Sequence, residues 1–221
     1  MMKKKAVTIV FMGCSITDAD HKGGDLGSGY VAITAAMLRA RFPDVHFRFI
    51  NSGIGGECAF QCRERWQRDV LDHDPHFVTF MIGGNDAYLY SLGDHRTELT
   101  VSGFRKIVEE LIGKTLAHKG CKGMVLVPQH YLTKDATEEG NPFPTRGMVK
   151  TLPPIVKAFR AAAAKYGVPV IDCDKALWAQ TKQVAATDLA ADYVHPNTYG
   201  HTVMALQLAD ALEKQIREFL A

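Results

Sequence analysis

Three glycine-bearing segments and one acid–histidine pair carry the side chains best placed to do chemistry. Gly13-Cys14-Ser15 offers a hydroxyl, Gly53-Ile54-Gly55-Gly56-Glu57 a flexible turn, and Gly83-Gly84-Asn85-Asp86 an amide; far along the chain stands Asp192-Tyr193-Val194-His195-Pro196. A carboxylate three residues before a histidine can reach back to one ring nitrogen, fixing the tautomer while the other nitrogen faces outward. A serine hydroxyl is a poor nucleophile at neutral pH and needs such a base to take its proton as it attacks an acyl carbon. Glycines let backbone N–H groups approach a ligand closely, which suits the stabilisation of a negative oxygen. Each residue also has a plainer reading by itself. Ser15 and the Asn85-Asp86 pair serve as turn residues, Gly56 as a backbone bend, Asp192 as a helix-entry residue and His195 as a satisfied structural histidine.

The elements that must position these groups follow from hydrophobic patterning. Short apolar, β-branched runs at 6–12, 45–50, 77–82, 123–128 and 168–171 alternate with helical patterns at 30–41, 59–71, 101–118, 155–166 and 198–219. Alternation of this kind marks βαβ units and a parallel sheet buried on both faces. Five parallel strands joined by right-handed crossovers predict an α/β fold, a three-layer α/β/α sandwich, with ligands bound beyond the carboxyl ends of the strands. The three glycine loops each follow one of the first three strands, so they should meet at that edge. Residues 133–151, containing Gly140, Pro142, Pro144 and Gly147, read as one long loop over it.

Bulk properties narrow the partners. A 221-residue chain that is 47% hydrophobic suits one substantial core, hence a single domain over 1–221. Twenty-six basic and twenty-four acidic side chains leave a formal charge of +2, too little to favour nucleic acid or an acidic membrane. Cys14, Cys58, Cys62, Cys121 and Cys173 are odd in number and lack C-x-x-C spacing, so reduced thiols and a cytoplasmic location are expected. Lys3, Lys4 and Lys5 before the first apolar run resemble the start of a signal peptide, but that run is short and cleavage after it would remove the first strand. No stretch reaches the roughly 20 apolar residues of a membrane span, so a soluble chain is expected. Asp72-His73-Asp74-Pro75-His76 matches no closed zinc site and reads as a solvated loop, as do Asp18, Asp20, His21 and Asp25, although the latter four follow Ser15 closely.

Together, Gly-Cys-Ser at 13–15, Gly56 within Gly-Ile-Gly-Gly-Glu, Gly-Gly-Asn-Asp at 83–86 and Asp-x-x-His-Pro at 192–196 resemble, in order, the four blocks of the SGNH/GDSL hydrolase family. The likeness covers nearly the whole chain, and the segments at 26–32 and 65–70 are similar to its bacterial acetylxylan-esterase branch. The resemblance implies a flavodoxin-like SGNH hydrolase fold, with Ser15 as nucleophile, Asp192 and His195 completing a triad, and Gly56 and Asn85 as oxyanion donors. It implies an esterase acting on small acyl esters, such as acetylated sugars or xylo-oligosaccharides, without metal or organic cofactor, and self-association. Short-chain acyl esters, lysophospholipids and thioesters form the alternative substrate class. Cys14 departs from the family's Gly-Asp-Ser and offers a second nucleophile, although a buried thiol is normally inert. Two readings of other classes remain: a catalytically silent carbohydrate-binding protein, and a nucleotide-binding protein. The Gly53-Ile54-Gly55-Gly56 loop matches the dinucleotide fingerprint poorly.

Overall fold

The computed structural model describes residues 5–221. Four parallel strands, β1 (Ala6–Gly13), β2 (His46–Gly53), β3 (Phe77–Met81) and β4 (Gly123–Leu126), form a sheet of order β2-β1-β3-β4. Among the described residues eight α-helices connect and flank them: α1 (Ser15–Asp18), α2 (Tyr30–Arg41), α3 (Ala59–Asp69), α4 (Gly84–Ser91), α5 (Val101–Ala117), α6 (Met148–Tyr166), α7 (Cys173–Gln180) and α8 (Thr198–Leu220).

Both faces of the sheet are covered. Register aligns Phe11 with Thr79 and Met12 with Phe80, so Phe11 and Phe80 point to opposite sides. Phe80 packs edge-on against Trp66 of α3 at 4.9 Å and against Phe159 of α6 at 6.0 Å. On the other side Phe11 meets Tyr30 of α2 at 6.4 Å, and α2 packs against α8. The Trp66 indole N–H donates to Thr115 Oγ1 at 3.1 Å, so this large ring is buried without an orphaned donor.

The expected five strands become four. Residues 168–171 contribute only a single parallel bridge, Leu126 to Val170, in which Leu126 N–H donates to Pro169 O at 3.0 Å and Ile171 N–H to Leu126 O at 2.8 Å. Pro169 has no N–H to extend the ladder, and α6 and α7 confine the segment from both ends. Two further differences concern helices. α6 begins at Met148, not 155, running through Pro153 and Pro154 because Met148 and Leu152 are buried in the core; the long loop therefore ends in a 3-10 turn at Pro144–Gly147. Short helices α4 and α7, eight residues each, were absent from the sequence expectation.

The strand order reverses direction between β1 and β3, which leaves a crevice at their carboxyl ends. Ser15 follows β1 and Asn85 follows β3, so both lie at that crevice.

Candidate active site

The turn after β1 is tightly specified. A Cβ at Gly13 would lie 2.2 Å from Thr17 Oγ1 and 2.7 Å from Met81 O, so only glycine fits between α1 and β3. Thr17 and Asp18 N–H both donate to Cys14 O, at 3.0 and 2.8 Å, and wind the chain into α1 with Ser15 as its first residue.

Ser15 Oγ lies 2.9 Å from His195 Nε2, although 180 residues separate them. On the far side of the ring, His195 Nδ1 lies 2.6 Å from Asp192 Oδ2. The other carboxylate oxygen, Oδ1, accepts from Val194 N–H at 3.0 Å and His195 N–H at 2.7 Å. An ionised carboxylate has only acceptors, so the ring proton belongs on Nδ1, and Nε2 is left to accept from the Ser15 hydroxyl. Burial by itself would raise the Asp192 carboxyl; the hydrogen bonds from the His195 ring and the two backbone N–H groups overcome it and hold it at about 2. The same Asp192 contact raises His195 above the ordinary histidine value, against the opposing effect of desolvation.

The Asp192–His195 turn requires Tyr193 at φ +64°, a left-handed conformation costing about 1–3 kcal/mol for a non-glycine residue. Its neighbours hold it there. Leu132 N–H donates to Tyr193 O at 2.9 Å, and the Tyr193 ring sits edge-on to Phe143 at 5.8 Å and Tyr131 at 6.4 Å. The long loop after β4 thereby acts as a buttress for the histidine turn. Asn197 then caps α8, accepting from Gly200 N–H at 3.2 Å.

Gly56 and Asn85 are brought together by a different set of bonds. Gly56 has φ +83°, and the next residue's carbonyl, Glu57 O, accepts from Asn85 Nδ2 at 2.9 Å. Asp86 is fully buried and accepts from Ala59 N–H at 3.1 and 3.3 Å, tying the start of α3 to the start of α4. Burial pushes this carboxyl up to about 7. Neither Gly56 nor Asn85 hydrogen-bonds to Ser15. The side chain of Asn85 keeps a second amide hydrogen free of its bond to Glu57.

Three clamps escaped the sequence reading. Asp18 Oδ2 accepts from Gly55 N–H at 3.0 Å, and Ile54 N–H donates to Gly13 O at 3.2 Å, joining the first glycine loop to the second. Asn51 Nδ2 holds the carbonyls of Thr17, Asp18 and Leu26 at 2.7, 3.2 and 3.0 Å. Arg65, buried in α3, pairs with Glu57 at 2.6 Å and Asp69 at 3.1 Å and reaches Gly13 O at 3.4 Å. Only the Glu57 and Asp69 carboxylates at helical or near-helical spacing from Arg65 give any signal of this in the sequence. Gly53 proves to be a packing glycine: a Cβ there would lie 2.2 Å from Asp18 N.

Cys14 is buried, and its thiol is pushed up to about 11 by desolvation and the nearby Asp86. It stays protonated at neutral pH and is a weak nucleophile there. A cavity of about 530 Å³ opens beside Ser15 and His195, lined also by Asp18, Asp20, Ser28 and His201. No described helix is long and apolar enough to cross a membrane, and among the described residues no cluster of three or more His, Cys, Asp or Glu side chains could hold a metal ion.

Ser15, His195 and Asp192 thus lie hydrogen-bonded in line at the carboxyl edge of the parallel sheet. Residues 11–203 match the GDSL-like Lipase/Acylhydrolase family, and the chain belongs to that family of carboxylic ester hydrolases. It is 28% identical over 206 residues to an acetylxylan esterase of Geobacillus stearothermophilus, covering 89% of this chain and 90% of that one. The crystal structure of that esterase superposes with a TM-score of 0.79 at 26% identity, over 95% of each chain. An alpha/beta hydrolase enzyme from the metagenome of Lake Arreo, Spain, gives 0.79 at 29% identity, over 94% of this chain and 95% of that one.

Proposed function

We propose that this chain, acting as one domain, removes acetyl groups from carbohydrate esters through a covalent acyl-serine intermediate. The observation that carries the reading is the continuous line Ser15 Oγ, His195 Nε2, His195 Nδ1, Asp192 Oδ2, with spacings of 2.9 and 2.6 Å across its two polar contacts. His195 takes the Ser15 proton as Oγ attacks the ester carbon, and Asp192 stabilises the imidazolium that results. The tetrahedral oxyanion receives hydrogen bonds from the Ser15 and Gly56 N–H groups and the free amide hydrogen of Asn85. His195 returns the proton to the departing alcohol; water, activated by the same ring, then releases acetate and restores Ser15. Three solved structures of the Geobacillus esterase are of catalytic mutants in which a serine, an aspartate or a histidine is replaced by alanine, which supports these roles.

The choice of a sugar over a lysophospholipid or thioester rests on the cavity beside Ser15, whose lining includes the polar residues Asp18, Asp20, Ser28 and Asn197 and suits a hydroxyl-rich alcohol. It agrees with the substrate class named for the relative. Acetate release from acetylated xylo-oligosaccharides should exceed, in kcat/KM, hydrolysis of long-chain acyl esters or acyl thioesters; the reverse order would sink the sugar assignment.

Two further results are expected. Asn85→Ala should lower kcat by roughly 10²–10³-fold with little change in KM, because the lost donor acts on charge that develops only in the transition state. An unchanged kcat would remove Asn85 from the oxyanion site. The base must be neutral to accept a proton, and His195 is raised by Asp192. Thus kcat/KM should climb with rising pH through an apparent pKa above the usual histidine value. Initial rates that stay flat across that range would exclude His195 as the base.

A further inference from the structure

His201, on the first turn of α8, is buried yet lines the same cavity as Ser15 and His195. Its Nδ1 accepts from the Tyr30 backbone N–H at 3.1 Å. A backbone N–H is only a donor, so Nδ1 carries no hydrogen and the neutral ring must carry it on Nε2. Tyr30 stacks on the same ring, with centroids 6.2 Å apart and planes 28° apart, which fixes its orientation. Nε2 makes no hydrogen bond among the described residues and is not one of the sealed, unpartnered buried atoms. Gly29 keeps it open, since a Cβ at that position would sit 3.1 Å from Nε2.

The side of the cavity matters. In ester cleavage the leaving alcohol must lie where the base can return a proton to it, while the carbonyl oxygen points at the oxyanion donors. This cavity is lined by Ser15 and by His195, the group that returns the proton, while the other two oxyanion donors, Gly56 and Asn85, lie outside its lining, which places it toward the leaving alcohol.

We propose that His201 is a specificity-determining donor, its Nε2–H binding a free hydroxyl oxygen on the alcohol portion of the substrate, so that the site selects polyhydroxylated alcohols over plain ones. This rests on the ester-hydrolase reading above. Burial, with a smaller effect from His195, brings the His201 ring down to about 4, so it remains a neutral donor throughout the pH range in which His195 titrates. Asp20 and Ser28, in the same cavity, supply partners for further hydroxyls. The role demands a fixed neutral N–H, whereas a histidine that also cycled protons would compete with His195.

The test compares wild type, His201→Phe and His201→Gln on an acetylated xylo-oligosaccharide and on phenyl acetate, whose leaving phenol has no second oxygen. The ratio of kcat/KM for the sugar to that for phenyl acetate should fall on the order of 10-fold in His201→Phe, about the worth of one hydrogen bond to substrate. His201→Gln, which keeps an N–H at similar reach, should recover part of that ratio. Equal losses on both substrates, or a ratio in His201→Gln no higher than in His201→Phe, would overturn the inference while the hydrolase reading stands. Wild-type turnover of phenyl acetate without the acetylated sugar would overturn the sugar reading, and the inference with it.

Discussion

Ser15→Ala should abolish ester hydrolysis, lowering kcat on the order of 10⁵–10⁶-fold, the scale seen when a serine nucleophile acting with its base is removed. The loss is chemical, not structural. The Ser15 hydroxyl bonds to His195 Nε2 and to the Cys14 thiol; the His195 ring is exposed to solvent and a thiol is a weak hydrogen-bonding group, so alanine strands no strongly polar buried group. Alanine also suits the first position of a helix. The variant should therefore keep the thermal transition of the wild type. A fluorophosphonate probe followed by intact-mass analysis should add one label to the wild type, map it to Ser15, and add none to the variant. Label on Cys14, or full turnover in Ser15→Ala, would defeat the assignment; the buried, protonated thiol at position 14 gives no reason to expect either.

Asp192→Asn should cost roughly 10⁴-fold in kcat while preserving the turn. An asparagine Oδ1 can still accept from the Val194 and His195 N–H groups, as the aspartate does at 3.0 and 2.7 Å. Its amide NH₂ would then stand where Oδ2 now meets Nδ1 at 2.6 Å. An NH₂ donates, so the ring would place its proton on Nε2, facing Ser15 and unable to receive the serine proton. The pH–rate inflection should drop as well, because the carboxylate that raises His195 is gone. Rate profiles of the two proteins across neutral pH measure both effects together. An unshifted inflection with a small loss of rate would mean that Asp192 serves only to shape the turn.

The parts of this architecture legible in the sequence are those with local signals. Four of the apolar runs became strands: β1, β3 and β4 are almost wholly buried, and the edge strand β2 alternates exposed His46 and Arg48 with buried Phe47 and Phe49. Asp192 and His195 could be paired from spacing alone, since three residues of chain bring their side chains together. The neighbourhood of Ser15 could be placed only by its strand, because its contact with His195 spans 180 residues and depends on the whole sheet. The misread fifth strand shows the limit of periodicity: residues 168–171 have a strand's composition, but a ladder needs N–H groups, and Pro169 withholds one. Pro153 and Pro154 lie just before residue 155, where the sequence pattern starts this helix. They argue locally against a helix, yet burial of Met148 and Leu152 carries α6 through them. The Arg65–Asp69 pair had a local signal in its i,i+4 spacing, whereas the reach of Arg65 to Gly13 O and of Asp18 to Gly55 N–H involves backbone groups of loops whose approach only the folded chain defines.

Pro169 also shapes the rim of the sheet. The rim of a sheet beyond its last full strand is a template on which another extended chain can zip up, and long flat rims seed aggregates. Here the flank of β4 is screened by a stub that offers it one residue's worth of pairing and is pinned between α6 and α7. A foreign strand arriving at that flank finds too few backbone groups in a row to grow from. The interruption that shortens the sheet thereby limits pairing along this flank, and Pro169→Val, which restores an N–H, should lengthen the strand and leave a longer rim open to pairing.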